Sequence, residues 1–370
     1  MGLSRAESRG RAGMMAFDPA VALHATEPPE ARGLRRDEVR LLVSHLDGRL
    51  EHRRFYELPQ VLRAGDLLVV NTSGTLAASL QAKRADGTRV ELHISTELPG
   101  HLWTVELRQL GPVASKPLQT AAAGETVRLP ADGRATLLAP YPFGGRLLAT
   151  SRLWAAALEL PMPVVDYLAQ YGSPIRYEYV PQAWPIDDYQ TIFATEMGSA
   201  EMPSAGRPFT RELVAALRAS GVGIAPLVLH TGVSSPEHHE PPYEERYRVP
   251  HETAERINEA HAAGRTVIAV GTTVVRALET VTDEHGIVHP GAGWTDLVIA
   301  PDDELHAIDG LVTGLHEPHA THVSMIRAIA RRAGGRGAAV IDRAYREAIE
   351  HGYLWHEFGD AHLILPEVRR

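Results

Sequence analysis

The 370-residue chain contains no cysteine. That excludes disulfides, a thiolate metal site and a cysteine nucleophile, and makes the cytoplasm the simplest expected location. No apolar run reaches the roughly 18 residues that a membrane-spanning helix needs. The start, Met1 to Gly13, is rich in Arg, Ser and Gly and lacks the apolar stretch of a secretory signal. Residues 1–15 therefore read as a disordered leader, with Met14 and Met15 as alternative starts. Positive charge is in the minority: 37 basic residues face 46 acidic ones, for a formal net charge of −9. This balance disfavours non-specific nucleic-acid binding by the chain as a whole, but it permits a local basic patch. Dinucleotide fingerprint, P-loop and H-E-x-x-H are all missing, and no G-x-S-x-G elbow surrounds Ser204.

What is present points to two domains. Around Asp47-Gly48, two apolar-containing runs read as a β-hairpin with the dipeptide suited to a type I′ turn. Leu67 to Asn71 is an apolar strand. From 76 to 150 short alternating runs, such as Arg89 to Ile94 and Leu102 to Leu107, are separated by Gly, Pro and Asp. That texture predicts an inserted antiparallel β domain, a barrel or a sandwich. Residues 16–75 and 151–370 form a discontinuous main domain. From about 208 onward strands alternate with helices, expected at 210–220, 250–263, 273–282, 318–332 and 342–351. Alternation of this kind predicts an α/β domain with a mostly parallel sheet covered on both faces.

Three strands of the second half run into short polar loops at His230-Thr231-Gly232, Gly271-Thr272-Thr273 and His316. Open α/β sheets hold ligands at the carboxyl ends of their strands. Gly271-Thr272-Thr273 opens a helix, whose free N–H groups and positive dipole end suit a carboxylate or phosphate. Arg276 lies on the same helix face. Histidine serves as acid or base near neutral pH, and His230 and His316 occupy equivalent strand ends. The small residues Ser204-Ala205-Gly206 permit close backbone approach to a ligand. The cluster His238-His239-Glu240 precedes two prolines and reads as an exposed loop. Metal ligation by His316, His319 and His322 is not expected, because His316 precedes Pro318 and is not yet helical.

Seven strings in order resemble the S-adenosylmethionine:tRNA ribosyltransferase-isomerases of queuosine biosynthesis. They begin with Arg40 to Val43 and Gly65 to Asn71. Asp188-Tyr189-Gln190-Thr191 is similar to D-x-Y-Q-T, and Pro203 to Thr210 matches P-T-A-G-L-H-F-T in part. Leu229-His230-Thr231-Gly232 is similar to L-H-V-G. Val270-Gly-Thr-Thr-Val-Val-Arg276-Ala-Leu-Glu279 is close to V-G-T-T-S-V-R-T-L-E and is the most specific match. Gly293 to Asp296 fits as well, and Phe358-Gly-Asp360-Ala resembles Y-G-D-A. The resemblance implies an α/β domain interrupted by a β-barrel, with S-adenosylmethionine as cosubstrate and no prosthetic group. It also implies transfer of the ribosyl part to a 7-aminomethyl-7-deazaguanine base in tRNA, with release of adenine and methionine. Under it, the catalytic candidates are His230, His316, Glu245 and Asp360, the first two for acid/base work and the last two for ribose hydroxyls or the substrate amine. Thr272, Thr273 and Arg276 hold an anionic group of the cosubstrate, beside Gly271, Thr231 and Ser204-Ala205-Gly206. Tyr189 and Phe209 stack on a base.

Departures fall inside the motifs. N-D-T-R-V-I-P-A-R-L reads Asn71-Thr-Ser-Gly-Thr-Leu-Ala-Ala-Ser79-Leu. Leu-His becomes Arg207-Pro208. H-x-M-H-x-E keeps only Glu245, and the lysine of N-F-H-L-P-K-S-T becomes His319. Lost cations weaken phosphate contacts. The alternative readings are a paralogue acting on a small-molecule acceptor and a non-catalytic S-adenosylmethionine binder. In either case the chain is expected as a monomer or small homo-oligomer.

Overall fold

The computed structural model describes residues 23–142, 152–233, 243–316 and 321–367. The expected leader 1–15, the His238-His239-Glu240 loop, Pro318 and His319 lie outside them. A nine-stranded sheet forms the main domain, in the order Gly291–Thr295, Glu245–Val249, Gly223–Leu229, Leu67–Asn71, Val267–Val270, Gly310–Gly314, Ala361–Leu365, Arg40–His45, Leu50–Arg54. Its four middle strands, from Gly223–Leu229 to Gly310–Gly314, are parallel. Antiparallel pairings flank them, with one further parallel pair between Arg40–His45 and Ala361–Leu365. The parallel centre is as expected, and the sheet as a whole is mixed. Leu67–Asn71 and Val267–Val270 are buried at every position, the signature of strands covered on both faces. Leu213 and Leu217 of helix Arg211–Ala219 pack on one face with Leu68, Val70 and Ile268. Ile257, Val275, Ile326 and Ile341 of four other helices pack on the opposite face.

Strands Ser79–Lys83, Arg89–Leu98, Leu102–Gln109, Thr126–Arg128, Arg134–Pro140 and Leu153–Glu159 form the antiparallel barrel, closed by pairing of the third with the last. The closing strand lies beyond residue 150, where the sequence placed the end of the insert. Its run Leu153-Trp-Ala-Ala-Ala-Leu-Glu159 lacks period-two alternation, because Leu153, Trp154, Ala155 and Ala156 are all buried. Helix Gly335–Glu350 begins seven residues before the expected Asp342. Gly334, Gly335 and Gly337 fall between the two helices expected at 318–332 and 342–351. In the fold, a Cβ at Gly337 meets the Ala330 carbonyl at 1.8 Å, so glycine is what allows the two helices to approach. At Asp47-Gly48 the hairpin has a three-residue loop in place of a type I′ turn. The Gly48 N–H donates to the His45 carbonyl at 2.9 Å and Gly48 takes φ of 109°.

Candidate functional site

The carboxyl ends of the parallel strands meet at one edge, and Asn71 ties them together. Its side-chain oxygen accepts from the amides of Leu229 (3.0 Å) and Ser73 (3.0 Å), and its nitrogen donates to the Leu229 carbonyl (2.8 Å) and Thr273 Oγ1 (3.4 Å). One buried amide thus fixes two strand ends and the start of helix Thr272–Thr280 relative to one another. The sequence showed Asn71 as the end of a strand and the first residue of a family string, with no sign of these partners.

His230 follows strand Gly223–Leu229 and is 9% exposed. Its Nδ1 lies 2.7 Å from Ser73 Oγ, which lies 2.6 Å from Ser199 Oγ, which accepts from the Thr231 amide at 3.0 Å. One orientation of the protons satisfies every member: Thr231 N–H to Ser199, Ser199 to Ser73, Ser73 to Nδ1. That leaves the proton of neutral His230 on Nε2, 3.4 Å from Glu196 Oε1. Burial lowers the His230 pKa, and the nearby Glu196 carboxylate only partly opposes it. His230 is therefore neutral at pH 7, with a donor at its outer edge and its acceptor nitrogen occupied. Gly198 lies against the ring, since a Cβ there meets Nδ1 at 2.4 Å. Ser73 is 1% exposed, so the Nδ1 edge of the ring is the sheltered one.

Glu245 opens the strand antiparallel to Gly223–Leu229. It accepts from the Gly232 amide at 3.1 Å and pairs with Arg276. Burial raises its pKa, with Arg276 pulling the other way. Arg276 also donates to the carbonyls of Leu297 (2.9 Å) and Thr295 (3.3 Å). Its expected role as an anion anchor is thus already filled by a residue of the chain itself. The helix start is different. Gly271 takes φ of 100°, and a Cβ there would stand 3.5 Å from Ala205. The Ser204-Ala205-Gly206 turn therefore packs over Gly271-Thr272-Thr273, and two predicted segments meet. The leading amides of the helix lie beneath that turn, where helix geometry leaves them without internal acceptors.

Other candidates are placed less favourably. Phe209 is fully buried, edge-on to Phe55 and Phe193. Tyr189 is 4% exposed and packs on Phe358. Neither ring offers a face to a substrate base, because both complete apolar clusters. Asp360 accepts from the amides of Arg40 (2.7 Å) and Leu354 (2.8 Å) and pairs with Arg40 at 3.3 Å. It pins the 354–360 loop to the sheet, so its oxygens are committed there. His316 Nε2 lies 2.8 Å from Thr313 Oγ1, and its ring stacks on His322 at 4.3 Å and 6°. Burial holds its pKa well below 6.5. Among the described residues no three His, Asp or Glu side chains converge as metal ligands.

The same edge carries groups that sequence reasoning missed. Tyr177, Tyr179 and His356 form a stacked array, with centroids 5.5 and 4.0 Å apart at 11° and 13°. Tyr179 donates to Glu357 at 2.6 Å, and Tyr177 donates to Glu201. The Glu201 carbonyl accepts from Thr231 Oγ1 at 2.6 Å, which joins this array to the His230 strand end. Burial raises the Glu357 carboxyl to about 7, with the Tyr179 hydroxyl opposing. The only advance signal was the Tyr177-x-Tyr179 spacing beside a His356-Glu357 pair, and nothing local in sequence links the two.

Buried neutral imidazoles also set an acid limit on stability. His362 is fully buried with its pKa lowered to about 3, and His322 and His356 are lowered to about 4, all by burial. Their folded-state pKa values lie below the ordinary 6.5, so the unfolded chain takes up protons first. Their contribution to stability is complete above about pH 6.5 and falls as pH drops toward 4. By about pH 5 His362 alone accounts for about 2 kcal/mol. Thermal unfolding from pH 7 to 4.5 should show a steep loss, and a flat profile would contradict the buried, neutral assignment.

The family profile described as "Queuosine biosynthesis protein" matches residues 14–364. The chain belongs to the queuosine biosynthesis family. The S-adenosylmethionine:tRNA ribosyltransferase-isomerase of Moorella thermoacetica is 38% identical over 92% of this chain and 96% of its own length. That of Symbiobacterium thermophilum is 36% identical over 94% and 98%. A crystal structure of an S-adenosylmethionine tRNA ribosyltransferase from Thermotoga maritima aligns with TM-score 0.49 and 29% identity, over 95% of this chain and 99% of that chain. Departures from the family strings have local partners in the fold. Ser73 keeps a hydroxyl on His230 where the string has Thr. Arg207, where the string has Leu, is 2% exposed, pairs with Glu30 at 2.9 Å, donates to the Asp188 carbonyl at 2.8 Å and covers the Phe358 ring at 5.1 Å.

Proposed function

We propose that this chain transfers the ribosyl moiety of S-adenosylmethionine to a 7-aminomethyl-7-deazaguanine base in tRNA, in the cytoplasm, and releases adenine and methionine. The observation that carries this reading is end-to-end similarity to relatives named for that activity, covering more than nine-tenths of both chains. The strand-end groups support it. A sulfonium acidifies the adjacent 5′ methylene, so a base of near-neutral pKa can remove a proton there. Glu357 supplies such a base more readily than His230, whose acceptor nitrogen is occupied by Ser73. His230 serves as a donor toward charge that develops as adenine departs. The amides of Thr272 and Thr273 hold the methionine carboxylate. Tyr177, Tyr179 and His356 offer the aromatic platform first expected from Tyr189 and Phe209.

The test is adenine release. Protein, S-adenosylmethionine and tRNA carrying the deazaguanine base should yield adenine, and omission of the tRNA should abolish it. Adenine formed without tRNA, or only with a small amine, would replace the acceptor. Binding of S-adenosylmethionine without turnover under every acceptor would overturn the enzymatic reading.

A further inference from the structure

The barrel carries a row of cations across its outer face. Arg89 is directly opposite Lys83, Lys83 opposite Arg128, and Arg128 opposite Arg134. All four are exposed. Like charges in direct cross-strand register repel one another, and here three successive pairings repeat the fault. Among the described residues none of the four has an acid within ion-pair distance, although Glu159 stands opposite Arg134 in register. Arg84 next to Lys83 is different, being paired with Glu125 at 2.6 Å. Between Lys83, Arg89 and Arg128 lies a depression of about 440 Å³. The chain as a whole carries net charge −9, so this accumulation runs against its average composition. A row of uncompensated cations is stable in water, but its arrangement suits a partner that brings a line of anions.

Position narrows the partner. Along strand Arg89–Leu98, the opposite end meets the candidate site, where Ser95 Oγ accepts from the Val233 amide at 2.9 Å. Six residues separate Arg89 from Ser95, about 20 Å at ~3.3 Å per residue. A cosubstrate of S-adenosylmethionine size, held at the strand ends, does not reach the row. A nucleic-acid acceptor with one base in the site does.

We propose that Arg89, Lys83, Arg128 and Arg134 form a binding surface for the phosphate backbone of the RNA acceptor, on the barrel face remote from the reacting base. The proposal rests on tRNA being the acceptor. Phosphate contacts position an RNA without reading its sequence, and each displaces condensed counterions, so they appear in the salt dependence of binding.

Two measurements test it. The chain's only lysines are Lys83 and Lys116, so acetylation by an amine-reactive ester, read by mass spectrometry, reports on few sites. Saturating tRNA should protect Lys83 several-fold. A K83Q/R89Q/R128Q variant should raise KM for tRNA about ten-fold or more and reduce the slope of log K against log salt by about 2. Its KM for S-adenosylmethionine and its kcat at saturating tRNA should match the wild type. Folding is not at risk, because the substitutions relieve repulsion at exposed positions, and the unfolding temperature should hold or rise. Equal acetylation of Lys83 with and without bound tRNA, or an unchanged slope and KM in the variant, would overturn the proposal. Failure of the tRNA reading itself is visible separately, as wild-type protein that binds no tRNA and releases no adenine with it, and the proposal falls with it.

Discussion

An Arg276→Met variant is expected to lose about 3–5 kcal/mol of folding stability, measured by denaturant unfolding at neutral pH. Arg276 and Glu245 are both largely sheltered, with side chains 9% and 12% exposed. Among the described residues, removing the guanidinium leaves the Glu245 carboxylate with only the Gly232 amide as hydrogen-bond partner, in a place where burial already raises its pKa. It also frees the carbonyls of Thr295 and Leu297. Native domains have only about 5–15 kcal/mol in hand, so the loss is a large share of the total. The pair itself need not be stabilising relative to apolar residues, because desolvation of both charges offsets their attraction. An Arg276→Met/Glu245→Leu double variant should therefore recover much of the loss. A single variant as stable as the wild type would show that Arg276 is held open for a ligand after all, and its effect would then fall on S-adenosylmethionine binding.

That result bears on how much of the site sequence could reveal. Strand ends are legible because apolar runs followed by Gly, Thr or His mark them locally, and Gly271-Thr272-Thr273 with Ser204-Ala205-Gly206 does converge at one edge. The partner of a charged side chain is not legible. Arg276 and Glu245 are separated by strand, helix and loop, so a ligand anchor and an internal ion pair look alike in sequence. Aromatics fail for a related reason. Phe209 and Tyr189 stand inside recognisable strings, yet they fill the core, whereas Tyr177, Tyr179 and His356 come together only through the path of the chain. The barrel was legible up to its closing strand, where alanines at inward and outward positions erased the alternation that distinguishes a strand.

Glu357→Gln should reduce the rate of adenine release by about 10²–10⁴-fold, the usual contribution of a positioned base. The wild-type rate should rise with pH through about 7, where the Glu357 carboxyl ionises. The residual rate of the variant should lack that limb. Gln keeps an oxygen to accept from the Tyr179 hydroxyl, so loss of geometry does not explain the result. Stability supplies the independent check. The folded-state pKa of Glu357 lies above the ordinary 4.5, so its contribution is complete at low pH and is lost as pH rises through about 7. At pH 8 the ionised, buried carboxylate costs up to about 3 kcal/mol, and glutamine removes that cost. The variant is thus expected to be more stable than the wild type above neutral pH while being far less active. A purely structural acid would give the opposite pairing, with stability lost and the pH limb retained. Higher stability combined with lost turnover is the mark of strain kept for chemistry, and here it follows from a carboxyl enclosed by Tyr179 at the edge where four strands end.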